Sequence, residues 1–196
     1  MEYNLTLITP PAVEPITTLQ AISYGRLGTL DAAETAYLTG LIKAAREYCE
    51  KQQNRAYITQ TWEMSLSKWP SVIRLPKGSL KTVESVKYTD STGVVHTLAV
   101  NTDYIVTTRG ILGGIVPPHG CSWPTTELYP IDPIVIKYTC GYGSASTDVP
   151  LGIVQAMYML IVHWWDHRTA VITGTVSKEV EFAVSALLSL DRISNV

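Results

Sequence analysis

The spacing of apolar residues changes twice along this chain, dividing it into a helical segment, a strand-rich segment and a second helical segment. Leu38, Leu41, Ile42, Ala45, Tyr48 and Cys49 recur at intervals that keep them on one side of an α-helix. From Tyr57 the repeat becomes two: Ile58, Gln60, Trp62, Met64 and Leu66 alternate with Thr59, Thr61, Glu63, Ser65 and Ser67, as on the two faces of a strand. After Val149 and Pro150 the helical repeat returns through Ile153, Met157, Leu160, Ile161 and Trp164.

Local signals place the boundaries. Pro10, Pro11 and Pro15 fix φ and remove amide donors, so the opening segment is expected to run extended over a surface. Thr17 or Thr18 can cap a short helix ending near Gly25. Asp31 with Glu34 forms a capping-box pattern for a helix running to about Gln53. Lys43, Arg46, Glu47, Glu50 and Lys51 are expected largely on its solvent side.

Further strands are expected at Val72 to Leu75, Val83 to Thr89, Val94 to Leu98, Tyr104 to Thr107, Ile115 to Val116 and Ile134 to Tyr138. Thr89 to Gly93 reads as a turn between two of them, and Pro117 to Gly120 as a loop. The helix after Pro150, running to about Arg168, is apolar around most of its circumference and must be covered on more than one side. A loop from Thr169 to Thr175 leads to a last helix, about Ser177 to Leu190. The expectation is an α+β fold, a bundle of about four helices with an inserted antiparallel β region. As one subunit over 1–196, its helical core takes 17–56 and 148–192 and its β-rich insertion 57–145.

Composition narrows the function. With 46% hydrophobic residues in a chain of 196, one core can form without metal or disulfide support. Cys49, Cys121 and Cys140 are widely spaced and include no C-x-x-C pair, which reads as reduced thiols in a cytoplasmic setting. Residues 1–56 carry five Lys/Arg against six Asp/Glu, 57–145 seven against six, and 146–196 three against five. No block is basic enough to neutralise a run of phosphates, which argues against DNA binding in the usual sense. The N-terminus lacks a basic region and a long apolar run, so no signal peptide is expected. The apolar stretch Ile153 to Trp165 is too short to span a bilayer.

Candidate chemistry is thin. His163 and His167 share a helical face, but H-E-x-x-H is not matched, because Trp164 and Trp165 follow His163. The glycines Gly110, Gly113, Gly114, Gly141 and Gly143 fit no nucleotide-binding motif and read as turn glycines. His119, Ser122 and Asp132 lie close in sequence without a nucleophile elbow. Neither a cofactor nor a metal is called for. Trp164 and Trp165 are adjacent on a helix, so one is expected inward and the other outward as an interface candidate.

Several stretches together resemble the head-tail connector (adaptor) proteins of tailed bacteriophages and prophages. They are Leu5 to Pro15, Ala44 to Tyr48, Asn54 to Trp62, Val83 to Tyr88 and Tyr138 to Gly143, then Val149-Pro150, Gln155-Ala156, His163-Trp164 and Arg168. They span nearly the whole chain in order. The resemblance implies a structural virion protein of the neck, assembled in the host cytoplasm, and no enzyme. Its subunits would form a ring of about a dozen copies beneath the portal protein, each copy meeting the next through two different faces. The ring would extend the DNA channel without specific DNA binding and dock a further neck or tail protein. The family's core is a small helical bundle, so the strand region is an elaboration. On this reading the helices at 31–53 and 150–168 form the ring's body. Trp164, Trp165, Arg168, Asp191, Arg192 and Val196 are the candidate subunit or partner interface, and Asp191 to Val196 would reach the portal, gaining order on contact. The alternative from another class is a small soluble enzyme or ligand-binding module with its site rimmed by the 117–133 loop.

Overall fold

The computed structural model describes residues 3–167 and 177–193. They form two compact units, each made of separated stretches of chain. One is built from the N-terminal strand and Thr59–Gly141, the other from Ala12–Ile58 and Tyr142–Arg192. Four α-helices and antiparallel sheets among the described residues make the fold α+β.

The helical unit begins with α1 (Thr18–Gly25), where Thr17 and Gln20 complete a capping box. In α2 (Ala32–Gln53) Asp31 caps the first turn, Glu34 reaches back to the Asp31 amide, and Asn54 ends the helix in the left-handed region, a conformation Asn tolerates. A short 3₁₀ turn (Ser146–Asp148) precedes α3 (Leu151–Asp166). The last helix, α4, spans Ser177–Ser189. Leu38, Ile42, Ala45 and Cys49 of α2 are buried with Ile153, Ala156, Met157, Leu160 and Ile161 of α3 and Val184 and Leu188 of α4. Tyr57 and Ile58 belong to this core, which is why the strand that follows starts only at Gln60. As its composition demanded, α3 is covered from several sides, packing against α1, α2 and α4.

Two residues expected on the solvent side of α2 are buried: Arg46 and Glu50. The helical repeat assigns a face but not a neighbour, and here the neighbours are Glu14 and the Tyr57 backbone. Buried charge is tolerated where it is paired and hydrogen-bonded.

The β unit is a five-stranded antiparallel sheet in the order β1-β2-β8-β4-β5, with a three-stranded sheet in the order β3-β7-β6. The strands are β1 (Tyr3–Thr9), β2 (Gln60–Leu66), β3 (Ile73–Leu75), β4 (Leu80–Thr89), β5 (Val95–Leu98), β6 (Ile105–Thr107), β7 (Gly113–Val116) and β8 (Ile134–Cys140). The opening segment is therefore more than an extended surface run, because Tyr3 to Leu7 pair in register with Leu66 to Trp62. Its prolines fall just beyond the strand, at a sheet edge where missing amide donors disrupt no ladder. Ile134, Ile136, Tyr138 and Cys140 are buried along one face of the central strand β8, and Met64 lies opposite Ile136.

Two glycines expected in turns, Gly113 and Gly114, lie in β7. A Cβ on Gly113 would sit 2.2 Å from Leu80 Cδ2 and 2.5 Å from Leu80 Cβ, so β7 approaches β4 more closely than any side chain allows.

Candidate assembly interface

The second turn from the end of α2 starts a chain of polar contacts running to the end of α4. Arg46 Nε donates to Glu14 Oε2 and its Nη1 to Glu50 Oε2, both at 2.7 Å. Glu50 Oε1 accepts the Tyr57 amide at 2.8 Å. The Tyr57 hydroxyl donates to Gln53 Oε1 at 2.7 Å, and Gln53 Nε2 donates to the Leu188 carbonyl at 2.8 Å. That carbonyl lies in the last turn of α4, where no intrahelical donor is available. Burial disfavours the Arg46 charge, yet Glu14 and Glu50 outweigh it and hold its pKa above the ordinary value. Burial drives the Tyr57 hydroxyl up, so it stays a donor, and pushes the Cys49 thiol up to about 12.

Beyond the helix, the Arg55 guanidinium lies over the Tyr142 ring at 5.3 Å and donates to the Tyr142 hydroxyl. Asp191 Oδ1 stands 4.0 Å from Arg55 Nη1. Arg55 Nε is buried with no hydrogen-bond partner among the described residues, and Asp191 reaches this guanidinium only as a long ion pair from a half-exposed position.

Of the interface residues expected from sequence, Trp164 packs edge-on against Tyr48 at 6.0 Å and Trp165 against Tyr37 at 5.7 Å. Both are half-buried, which overturns the expected division into one inward and one outward tryptophan. Both partners are tyrosines of α2. Arg192 lines a small cavity with Tyr48, Gln52, Val184 and Leu188, so Trp164 and Arg192 meet the same tyrosine, while Trp165 points along α2 to another station. Asp191 and Arg192 are exposed. Arg168 and Val196, and the expected loop from Thr169 to Thr175, lie outside the described residues. The Arg46–Glu50 node escaped sequence reading, since an i,i+4 pair of opposite charges is the pattern of a solvated helix face.

The 117–133 loop is pinned to the β unit. Trp123 stacks on Trp69 at 4.6 Å between centroids, and its indole N–H donates to the Pro70 carbonyl at 2.7 Å. Asp132 Oδ1 accepts from Ser65 Oγ at 2.6 Å and Asn4 Nδ2 at 3.1 Å. Its partners are thus strand residues rather than His119 or Ser122, and no nucleophile–base–carboxylate chain is assembled there. A larger cavity of about 630 Å³ belongs to the helical unit, lined by Val13, Ile16, Thr18, Ile42 and Ser144 among others. His163 and His167 approach to 4.6 Å between rings, with His167 Nδ1 2.9 Å from the His163 carbonyl. No cluster of three or more His, Cys, Asp or Glu suited to a metal occurs among the described residues. Nor is any described helix long and apolar enough to cross a membrane.

No protein-family model and no curated protein matches the chain. Solved structures of similar fold do. A chain from the neck of an empty gene transfer agent (GTA) particle, computed with C6 symmetry, is 24% identical, with a TM-score of 0.76 over 100% of this chain and 97% of that one. A chain from the virion of the native particle is 22% identical, with a TM-score of 0.76 over 98% and 96%. One from the neck of the native particle, computed with C12 symmetry, is 22% identical, with a TM-score of 0.71 over 100% and 97%. At these identities the likeness establishes a shared fold extending over the whole length of both chains.

Proposed function

We propose that this chain is a structural, non-enzymatic neck protein: a connector subunit that assembles as a ring beneath the portal, joins capsid to tail and extends the DNA channel. The observation that carries the reading is the end-to-end fold match to chains of GTA necks computed with C6 and C12 symmetry. The connector resemblance in the sequence points the same way, and so does the even charge distribution, since DNA must pass such a channel without being gripped. The partners are other copies of the chain, a portal protein, and a further neck or tail protein. In this reading the α2–α3 pair forms the body of the ring. Asp191 and Arg192, held near Arg55 and Tyr48, belong to the portal-facing contact together with Arg168 and Val196, and Trp164 and Trp165 support it. Assembly takes place in the host cytoplasm.

Light scattering of the purified full chain, alone and with its cognate portal protein, tests this. A ring-sized species in either sample is the expected result. A monomer that ignores the portal would overturn the reading and favour a small enzyme or ligand-binding module rimmed by the 117–133 loop.

A further inference from the structure

The end of α3 carries two imidazoles to which the neck reading gives no task. His163 and His167 are four residues apart, the spacing that sets side chains one turn above another on a helix. Their rings lie 4.6 Å apart between centroids, with planes inclined by 34°. His167 is exposed and His163 half-buried, so the pair is open to an ion from solvent.

His167 is tied twice to one atom. The His163 carbonyl accepts the His167 amide at 3.1 Å and lies 2.9 Å from its Nδ1. A carbonyl oxygen only accepts, so Nδ1 carries the hydrogen. In the neutral ring Nε2 is then a bare lone pair. Metal-ligating histidines adopt this same arrangement, because the bond from the other ring nitrogen to a carbonyl fixes both tautomer and ring orientation. A helix cap accounts for one imidazole at this carbonyl. It gives no reason for a second ring to lie alongside the first.

We propose that His163 and His167 form a two-imidazole chelate for a divalent transition cation. Imidazole nitrogen suits Zn2+, Ni2+ and Cu2+, whereas Mg2+ and Ca2+ take oxygen ligands. A tetrahedral ion holding two imidazoles sets their nitrogens about 3.3 Å apart, a span that neighbouring rings at this separation reach by turning about χ2. No third His, Cys, Asp or Glu joins the pair among the described residues. Water therefore fills the remaining positions, and the site lacks the three protein ligands of a catalytic zinc centre. Bridging two successive turns, the ion locks the last turn of α3. The site is independent of the ring reading.

The test uses the tag-free full chain, titrated calorimetrically with NiCl2, ZnCl2 and MgCl2 at neutral pH. One Ni2+ or Zn2+ per chain is expected, and no binding of Mg2+. His163→Gln and His167→Gln should each weaken binding about tenfold or more, with circular dichroism checking the fold. His119→Gln and Cys121→Ser, at an exposed histidine and an exposed thiol elsewhere, should leave it unchanged. In NMR spectra of wild type, paramagnetic Ni2+ should broaden the ring signals of His163 and His167 together, ahead of those of His96 and His119. These spectra decide the matter even where a variant fails to fold. If wild type shows no saturable binding, the chelate does not exist. If only one of the two variants loses affinity, a single imidazole binds and the pairing is wrong. If both keep wild-type affinity, the ion sits elsewhere and the assignment falls.

Discussion

Gln53 of α2 donates its amide to the carbonyl of Leu188 in the last turn of α4 at 2.8 Å, so a side chain from one helix completes the hydrogen bonding of another 135 positions away in sequence. The same glutamine accepts from the Tyr57 hydroxyl. Gln53→Leu therefore leaves a buried carbonyl and a buried hydroxyl without partners. It is expected to destabilise the chain by about 2–6 kcal/mol, at 1–3 kcal/mol for each orphaned group. Hydrogen exchange should place the early loss of protection in α4.

Arg46 and Glu50 give a stronger effect. Removing one partner strands a buried charge, and Arg46→Ala is expected to cost about 3–5 kcal/mol in urea unfolding. A double replacement by apolar residues of similar size, R46M with E50L, should recover much of that loss if charge burial dominates, although Glu14 and the Tyr57 amide also lose a partner. Urea midpoints of single and double variants check both statements.

Cys49 makes the pH dependence specific. Its thiol is pushed from 9.0 to about 12, first by burial and then by the Glu50 charge. Below pH 9 the thiol is neutral in both folded and unfolded chains, so the shift has no effect on stability. Between pH 9 and about 12 the unfolded chain ionises and the folded one does not, so stability falls over that window. Cys49→Ala should flatten that alkaline decline. A thiol reagent near neutral pH should modify the exposed Cys121 and spare Cys49 and Cys140.

Asp90 works in the opposite direction. Hydrogen bonds from Thr92 and His96, with amides of Thr92 and Val94, hold its carboxyl well below the usual range. Its support of the β4–β5 turn is complete above the ordinary carboxylate pKa of about 3.9 and is lost as pH falls toward the depressed value. Amide signals of Thr92 and Val94 should keep their positions down to mildly acidic pH. In Asp90→Asn their exchange should quicken throughout.

The close approach of β7 to β4 predicts a steric rescue. Gly113→Ala places a Cβ against both Leu80 Cβ and Cδ2, and the strand must shift, at about 1–3 kcal/mol. Leu80→Ala opens a cavity of its own, but in its presence the Gly113→Ala penalty should shrink. A double-mutant cycle in thermal melts reads the coupling.

The cap of α1 at Thr17 or Thr18, the capping box at Asp31–Glu34, the stripe of α2 and the alternation entering β2 were legible because each is settled by residues within one or two turns, although the Gln20 half of the α1 box was not read. What could not be read depends on distant partners. The burial of Arg46 requires Glu14, 32 positions earlier. The β1 alternation of Tyr3, Leu5 and Leu7 against Asn4 and Thr6 was present, but its pairing with β2 lies across two helices. Gly113 and Gly114 looked like turn residues because their reason for lacking a side chain is Leu80 and Thr107, on other strands. The tryptophan pair was located, but not its shelter by Tyr37 and Tyr48.

The threading of the chain bears on its synthesis. β1 is made before its pairing partner β2, which arrives only after α1 and α2. α2 must then wait for α3, which follows seven further strands. Through that interval Leu38, Ile42, Ala45 and Cys49 have no α3 to cover them. A nascent chain stalled before Leu151 should thus be a chaperone client, and the high proportion of nonlocal closure marks this protein as a slow folder.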